Sequence, residues 1–242
     1  MSYATQCTVV VNSESTSNNA IQSAINSASS GSTICVGPGT FPEQLTITKP
    51  ITLEGAGVGN TIIQPTSISA IATDPDSHLP EASIIFVSGT KGVTIEDLTV
   101  SGSFAAPAGC GPTYIGILFL GASGAVKDTA VLNMNLQNAN LYGCQSGLGI
   151  LVQSPSGEIS DVSITGNIVT NYQKNGITCN DVGTDCHISG NTVSALVAAQ
   201  PFIAPNGIQI AFGATGKIDG NMVSSNQCSL TLSNPLIGAG VI

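Results

Sequence analysis

The stretch Ser163-Ile164-Thr165-Gly166-Asn167-Ile168-Val169-Thr170-Asn171-Tyr172-Gln173-Lys174-Asn175-Gly176-Ile177-Thr178-Cys179 decides the fold. It holds short apolar runs, two of them opened by a glycine, and none is long enough for a helix. Both glycine markers recur. Gly176-Ile177-Thr178-Cys179 belongs to a series with Gly116-Ile117-Leu118-Phe119, Gly149-Ile150-Leu151-Val152, Gly207-Ile208-Gln209-Ile210 and Gly240-Val241-Ile242. Gly166-Asn167-Ile168-Val169 belongs to another, with Gly190-Asn191-Thr192-Val193 and Gly220-Asn221-Met222-Val223. Self-similarity at such a period, with loops of variable length between, is the mark of a solenoid.

A parallel β-helix accounts for both markers. Each coil offers short strands that pair with the same strands of the next coil, about 4.8 Å away. One coil cannot bury its apolar residues alone, so coils must stack. Inward positions become ladders of Ile, Val and Leu, and asparagines at an equivalent turn stack along the axis. Glycine is expected to supply the positive φ of the tight corners. About seven coils fit, a rod roughly 35 Å long. A sandwich would need frequent hairpin turns between alternating strands, and few such turns are present. Only one segment reads as a helix, over about 18–30: Asn18 and Asn19 can cap it, Ile21, Ala24, Ile25 and Ala28 share a face, and Gly31 stops it. The expectation is a single all-β domain over 1–242, with coils from about 33 onward.

Composition narrows the function. The chain has 242 residues, five lysines, no arginine and 14 acids, for a net charge of −9. Five scattered lysines cannot track a phosphate backbone, so nucleic acid is excluded as a partner. They suit an anionic membrane surface no better, and no apolar run is long enough to read as a membrane span. Abundant Ser, Thr, Asn and Gly with almost no cations points outside the cell or to its surface. None of the seven cysteines has zinc-site spacing. Cys179 and Cys186 bracket a polar loop and are disulfide candidates. So are Cys110 and Cys144, which sit at similar distances before their coil glycines.

The run Ala20 to Ile25, then Gly31-Ser32-Thr33-Ile34-Cys35-Val36-Gly37-Pro38-Gly39-Thr40-Phe41 and Leu45-Thr46-Ile47-Thr48-Lys49-Pro50-Ile51-Thr52-Leu53-Glu54-Gly55-Ala56-Gly57, resembles the first coils of right-handed β-helix proteins of the pectin lyase-like superfamily. The later Gly-Ile and Gly-Asn coils resemble its generic repeats. The resemblance implies right-handedness and an N-terminal capping helix. It implies no single activity, since the superfamily spans lyases, hydrolases, esterases, epimerases and non-catalytic surface proteins. The arginine-dependent chemistry of its pectate lyases and methylesterases has no counterpart in a chain without arginine, and its polygalacturonase motifs are absent.

Other chemistry remains open. Asp181, Asp185 and His187 form the densest acid cluster on a coil, suited to glycoside cleavage by two carboxyl groups or to a plain Asx-rich turn. Lys174 is a candidate lyase base or an ordinary turn residue. Asp74, Asp76 and Glu81, in the insertion 66–82, are calcium candidates or a solvated loop. Tyr114, Tyr142, Tyr172 and Phe202 recur close to once per coil. That spacing reads either as a sugar-stacking stripe on one flank or as an internal aromatic ladder. The chain ends at Gly240-Val241-Ile242, where a strand has begun, which fits truncation, self-capping or end-to-end self-association. The leading expectation is a secreted or cell-surface, non-catalytic module that binds polysaccharide or cell-surface glycan, or serves as an adhesin or fibre scaffold, and needs no cofactor. The alternative is a polysaccharide-degrading hydrolase or lyase.

Overall fold

The computed structural model describes residues 7–12, 19–105, 107–199, 202–227 and 239–242. Three sheets run the length of the stack, and consecutive coils add one parallel strand to each. Ser160–Thr165, Ile168–Tyr172 and Asn175–Asn180 form one such coil, contributing to sheets 1, 2 and 3 in turn. Among the described residues, seven coils of this kind follow Val9–Val11, which tops sheet 1 by pairing with Ser32–Val36. The final strand of sheet 3 is Ala239–Val241, paired with Asn206–Ala211.

Three in-register ladders run along the stack, one per sheet. In sheet 1 they read Ile34, Leu53, Ile95, Val126, Ile164, Ile188 and Ile218. Phe41, Ile63, Val100, Val131, Val169, Val193 and Val223 form the ladder of sheet 2. Leu45, Ile85, Ile117, Ile150, Ile177, Ile208 and Val241 form that of sheet 3. β-Branched side chains suit this stacking because their few rotamers pack well on a pleated surface.

The glycines divide into two kinds. Gly166, Gly190 and Gly220 turn the corner from sheet 1 to sheet 2 with φ of 71°, 65° and 64°. Gly116, Gly149, Gly176 and Gly207 instead lie in extended strand, so positive φ does not explain them. A Cβ on Gly116 would come within 2.5 Å of Val131 Cγ1 and 2.6 Å of the Gly149 carbonyl oxygen. The same valine and carbonyl contacts recur one coil on for each of the other three. This ladder marks close approach between sheets, not a turn.

Asparagines line the 1–2 corner. Asn191 Oδ1 accepts from the backbone N–H and Nδ2 of Asn167, both at 2.9 Å, and Asn221 Oδ1 accepts the same pair from Asn191 at 2.9 and 2.8 Å. The inner Nδ2 protons go to the carbonyls of Val126 and Ile164. Each amide therefore satisfies backbone groups left free at the turn.

The helix spans Ala20–Ser27 and buries Ile21, Ala24 and Ile25 against the first coil. Its cap differs from the sequence expectation. Asn18 lies outside the described residues, and Asn19 is left-handed (φ 74°) with no side-chain cap. The buried Glu43 carboxylate takes the role instead, accepting from Ile21 N–H and Gln22 N–H at 2.9 Å each. An anion there satisfies two free donors and complements the helix dipole.

Candidate functional site

The outer face of sheet 3 changes character along the stack. Its first coils present Phe86, Ile115, Leu118, Leu148 and Leu151, an apolar surface covered by Ile71 and Ala72. Those two residues belong to the insertion after Ile63, which doubles back as Ala72–Thr73 pairs antiparallel with Pro80 and Glu81. Further along, the same face becomes polar. Gln209 Nε2 donates to Asn180 Oδ1 (3.1 Å), and Asn206 Nδ2 donates to Asn175 Oδ1 (3.3 Å) and Gln209 Oε1 (3.0 Å).

The acidic tip of the insertion overhangs this transition. Asp74 Oδ1 accepts from Ser77 N–H (2.6 Å), Ser77 Oγ (2.8 Å) and Asp76 N–H (3.1 Å), closing an Asx turn. Asp74 Oδ2 accepts from Gln153 Nε2 at 2.8 Å, a contact spanning 79 residues. Burial pushes the Asp74 carboxyl up, but donors from Ser77, Gln153 and Asp76 outweigh it, so the net displacement is downward. Asp74 is a fixed anion.

Two further acids behave oppositely. Glu81 is 1 % exposed, and its Oε2 has no hydrogen-bond partner. Burial, with the charges of Asp74 and Asp181 added, pushes it up to about 8. Asp181 ends the strand Asn175–Asn180 in the left-handed region (φ 79°) and is 7 % exposed. Burial and the neighbouring carboxyls of Asp76 and Asp74 raise it to about 6, against a hydrogen bond from Ser154 N–H. Asp181 Oδ2 and Gln153 Oε1 are likewise buried without a partner. At neutral pH Glu81 keeps its proton and Asp181 has lost it, with an anion fixed nearby.

A cavity of about 240 Å³ opens between loop and sheet, lined by Asp74, Glu81, Gln145, Gln153, Lys174 and Asn180 among others. An adjoining space of about 190 Å³ holds Asp74, Asp76, Asn180 and Asp181. Lys174 is half-buried, its Nζ donates to the Ala204 carbonyl at 2.9 Å, and burial lowers its pKa. The two acidic regions that read as separate in the sequence thus meet in one groove.

Other sequence candidates fall elsewhere. Asp185 and His187 alternate outward on Thr184–Ser189 of sheet 1, because the corner after Asp181 sends the chain onto that sheet. His187 Nε2 lies 3.6 Å from Asp219 Oδ2 in an exposed pair. Asp181, Asp185 and His187 therefore make no joint site. Among the described residues no three acidic, histidine or cysteine side chains converge on a metal position. Of the calcium candidates Asp74, Asp76 and Glu81, Asp74 spends both its oxygens on hydrogen bonds within the protein, as a turn-forming loop residue does. The aromatic stripe dissolves as well. Tyr172 is 0 % exposed and donates its hydroxyl to Asn226 Oδ1, and Tyr114 is 7 % exposed against Phe104. Tyr142 is half-buried and Phe202 is 56 % exposed, so two of the four rings present no face to a sugar.

Disulfides join Cys179 to Cys186, Cys110 to Cys144 and Cys7 to Cys35. Cys228 lies outside the described residues. Sequence reading missed the third bridge, although its two cysteines stand about one coil apart. It also missed Gln153 and Asn180, which pair in register. Aligning Gly149-Ile150-Leu151-Val152-Gln153 with Gly176-Ile177-Thr178-Cys179-Asn180 would have stacked them.

No protein-family model matches the chain, and no curated protein sequence matches it. Solved structures do. A pectin methylesterase from carrot superposes with a TM-score of 0.51 at 12 % identity, covering 100 % of this chain and 90 % of that one. The ORF18 protein of Geobacillus virus E2 gives 0.53 at 18 %, covering 88 % of this chain and 41 % of the viral one. A pectin methylesterase in complex with hexasaccharide VII gives 0.49 at 15 %, covering 86 % and 71 %. A left-handed coil would not superpose on the carrot enzyme along its length. The chain has the right-handed parallel β-helix fold. Among the described residues no helix is long and apolar enough to cross a membrane.

Proposed function

We propose that this protein is a secreted carbohydrate-processing enzyme that cleaves glycosidic bonds in the groove on sheet 3. The observation carrying the reading is the unequal upward displacement of Glu81 and Asp181 beside the fixed anion of Asp74. Glycoside cleavage needs one carboxylic acid to protonate the leaving oxygen and one carboxylate to activate water or attack. Environments that push neighbouring acids apart assign those roles. Glu81, raised to about 8, is the acid; Asp181, raised to about 6, is the base; the Asp74 charge adds to the burial that holds both up. Gln145, Asn175, Asn180 and Lys174 offer donors and acceptors for sugar hydroxyls. Arginine has no part in this chemistry, so its absence is no obstacle. The non-catalytic binding reading drew on an aromatic stripe, and the burial of Tyr114 and Tyr172 removes that support. Three disulfides favour an oxidising compartment.

The test is incubation with a panel of neutral and acidic polysaccharides, following reducing ends and unsaturated products. The expected result is hydrolysis with a bell-shaped pH profile whose limbs fall near 6 and 8, lost in Glu81→Gln and Asp181→Asn. Glycan binding with no turnover at any pH would return the molecule to the class of binding modules.

A further inference from the structure

The groove continues past Glu81. A second concavity, of about 480 Å³, is walled by Leu79, Pro80, Pro112 and the cysteines 110 and 144 of one disulfide. Leu79, Thr113 and Gln145 line both this space and the acid cavity, so the two adjoin. Thr113 pairs in register with Glu81, which puts the acid at the seam. Leu79 is 58 % exposed at the rim, a large apolar side chain left to solvent. The other end of the groove gathers the amides and carboxyls around Asn180 and Asp181, with the exposed ring of Phe212 on its wall. The carboxyls thus gather on one side of Glu81, and the wall of Leu79, Pro80, Pro112 and the disulfide, which carries no charged side chain, lies on the other.

Direction follows from the chemistry. A general acid hands its proton to the departing oxygen, so the leaving group sits on the acid's side, away from the base. Here that side is the apolar concavity. Charge sets the other limit. Asp74, Asp76, Glu81 and Asp181 crowd the groove, and Lys174, the one cation lining it among the described residues, already serves the Ala204 carbonyl. A polyuronate chain would meet four carboxyl groups there against a single lysine.

Resting on the acid–base reading above, we infer that the substrate is an uncharged glycoside with an apolar leaving group, an alkyl or aryl aglycone seated against Leu79, Pro80 and the Cys110–Cys144 bridge. In the reaction the Glu81 proton passes to the glycosidic oxygen as its bond to the anomeric carbon breaks, releasing an alcohol. A water oxygen bonds to that carbon and gives its proton to Asp181. One water is consumed, and proton exchange with solvent resets both acids.

The test uses methyl, butyl and octyl glycosides of a panel of neutral sugars, with turnover measured by alcohol release and binding by calorimetry. The alkyl leaving groups have similar basicity, so chain length reports burial. Each buried methylene should raise kcat/KM about three- to fourfold, from ~0.8 kcal/mol per group, until the concavity is full. Leu79→Asp should shrink the octyl-to-methyl ratio severalfold. Turnover with no chain-length dependence would overturn the apolar subsite and leave the acid–base reading standing. Chain-length-dependent binding without turnover would do the reverse. If neither turnover nor binding depends on chain length, the inference fails outright.

Discussion

Two polar regions of this rod use similar residue types to opposite ends. At the corner of sheets 1 and 2, Asn167, Asn191 and Asn221 repeat once per coil, and the Asn167 and Asn191 amides meet backbone groups of the preceding coil and the asparagine side chain of the next. Above sheet 3, Glu81 Oε2, Gln153 Oε1 and Asp181 Oδ2 are buried with no donor. A buried polar group left unpaired costs about 1–3 kcal/mol, so native folds keep few of them. Three of the four such side-chain atoms among the described residues gather at this groove, the fourth being Ser83 Oγ. Periodic polarity here builds the fold; aperiodic polarity marks the site.

The sharpest way to break this contrast is activity. Glu81→Gln and Asp181→Asn should each lower turnover by roughly 10²–10⁴-fold, while Asn191→Ala, measured per folded molecule, should leave it alone. A large rate loss in Asn191→Ala would mean that the two regions are not separable.

Stability against pH sharpens the same contrast. Glu81 is raised from 4.5 to about 8 in the folded protein. Across that window the folded state holds a proton that the unfolded chain releases, so stability falls as pH rises and levels off above it. The loss should reach ~5 kcal/mol at most, seen by urea denaturation at pH 5, 7 and 9. Glu81→Gln should remove most of the slope, and Asn191→Ala should not change it.

The ladder itself is tested by Asn191→Ala, which strips partners from Asn167 N–H and the Ile164 carbonyl. A loss of about 3 kcal/mol is expected at every pH. Gly176→Ala should cost about 2 kcal/mol, because its Cβ would press on Val193 and the Gly207 carbonyl. A neutral result there would show that the sheets yield more easily than the packing implies.

What was legible in the sequence followed periodicity. The Gly-Ile and Gly-Asn markers located sheets 3 and 2 because each recurs once per coil, and the asparagine ladder came with them. The glycine explanation was half right: one set turns corners, and the other clears space for valines on the adjoining sheet. Periodicity also misled. Rings recurring close to once per coil suggested one exposed flank, yet Tyr172 points into the core and Tyr114 packs against Phe104. The groove was hidden because one unrepeated insertion builds it. Asp74 reaches Gln153 across 79 residues, a contact no local pattern announces. Asp74, Asp76, Glu81 and Asp181 were all visible as acids, but their meeting was not.

The central claim is that burial and crowding set these acids apart, and carboxyl-carbon NMR titration of the wild-type protein tests it without any substrate. Glu81 should titrate near 8, Asp181 near 6 and Asp74 below the ordinary aspartate range. In Asp74→Asn, both raised values should move down. If Glu81 and Asp181 instead titrate near 4 like solvated carboxylates, the groove holds no acid–base pair and the account is wrong.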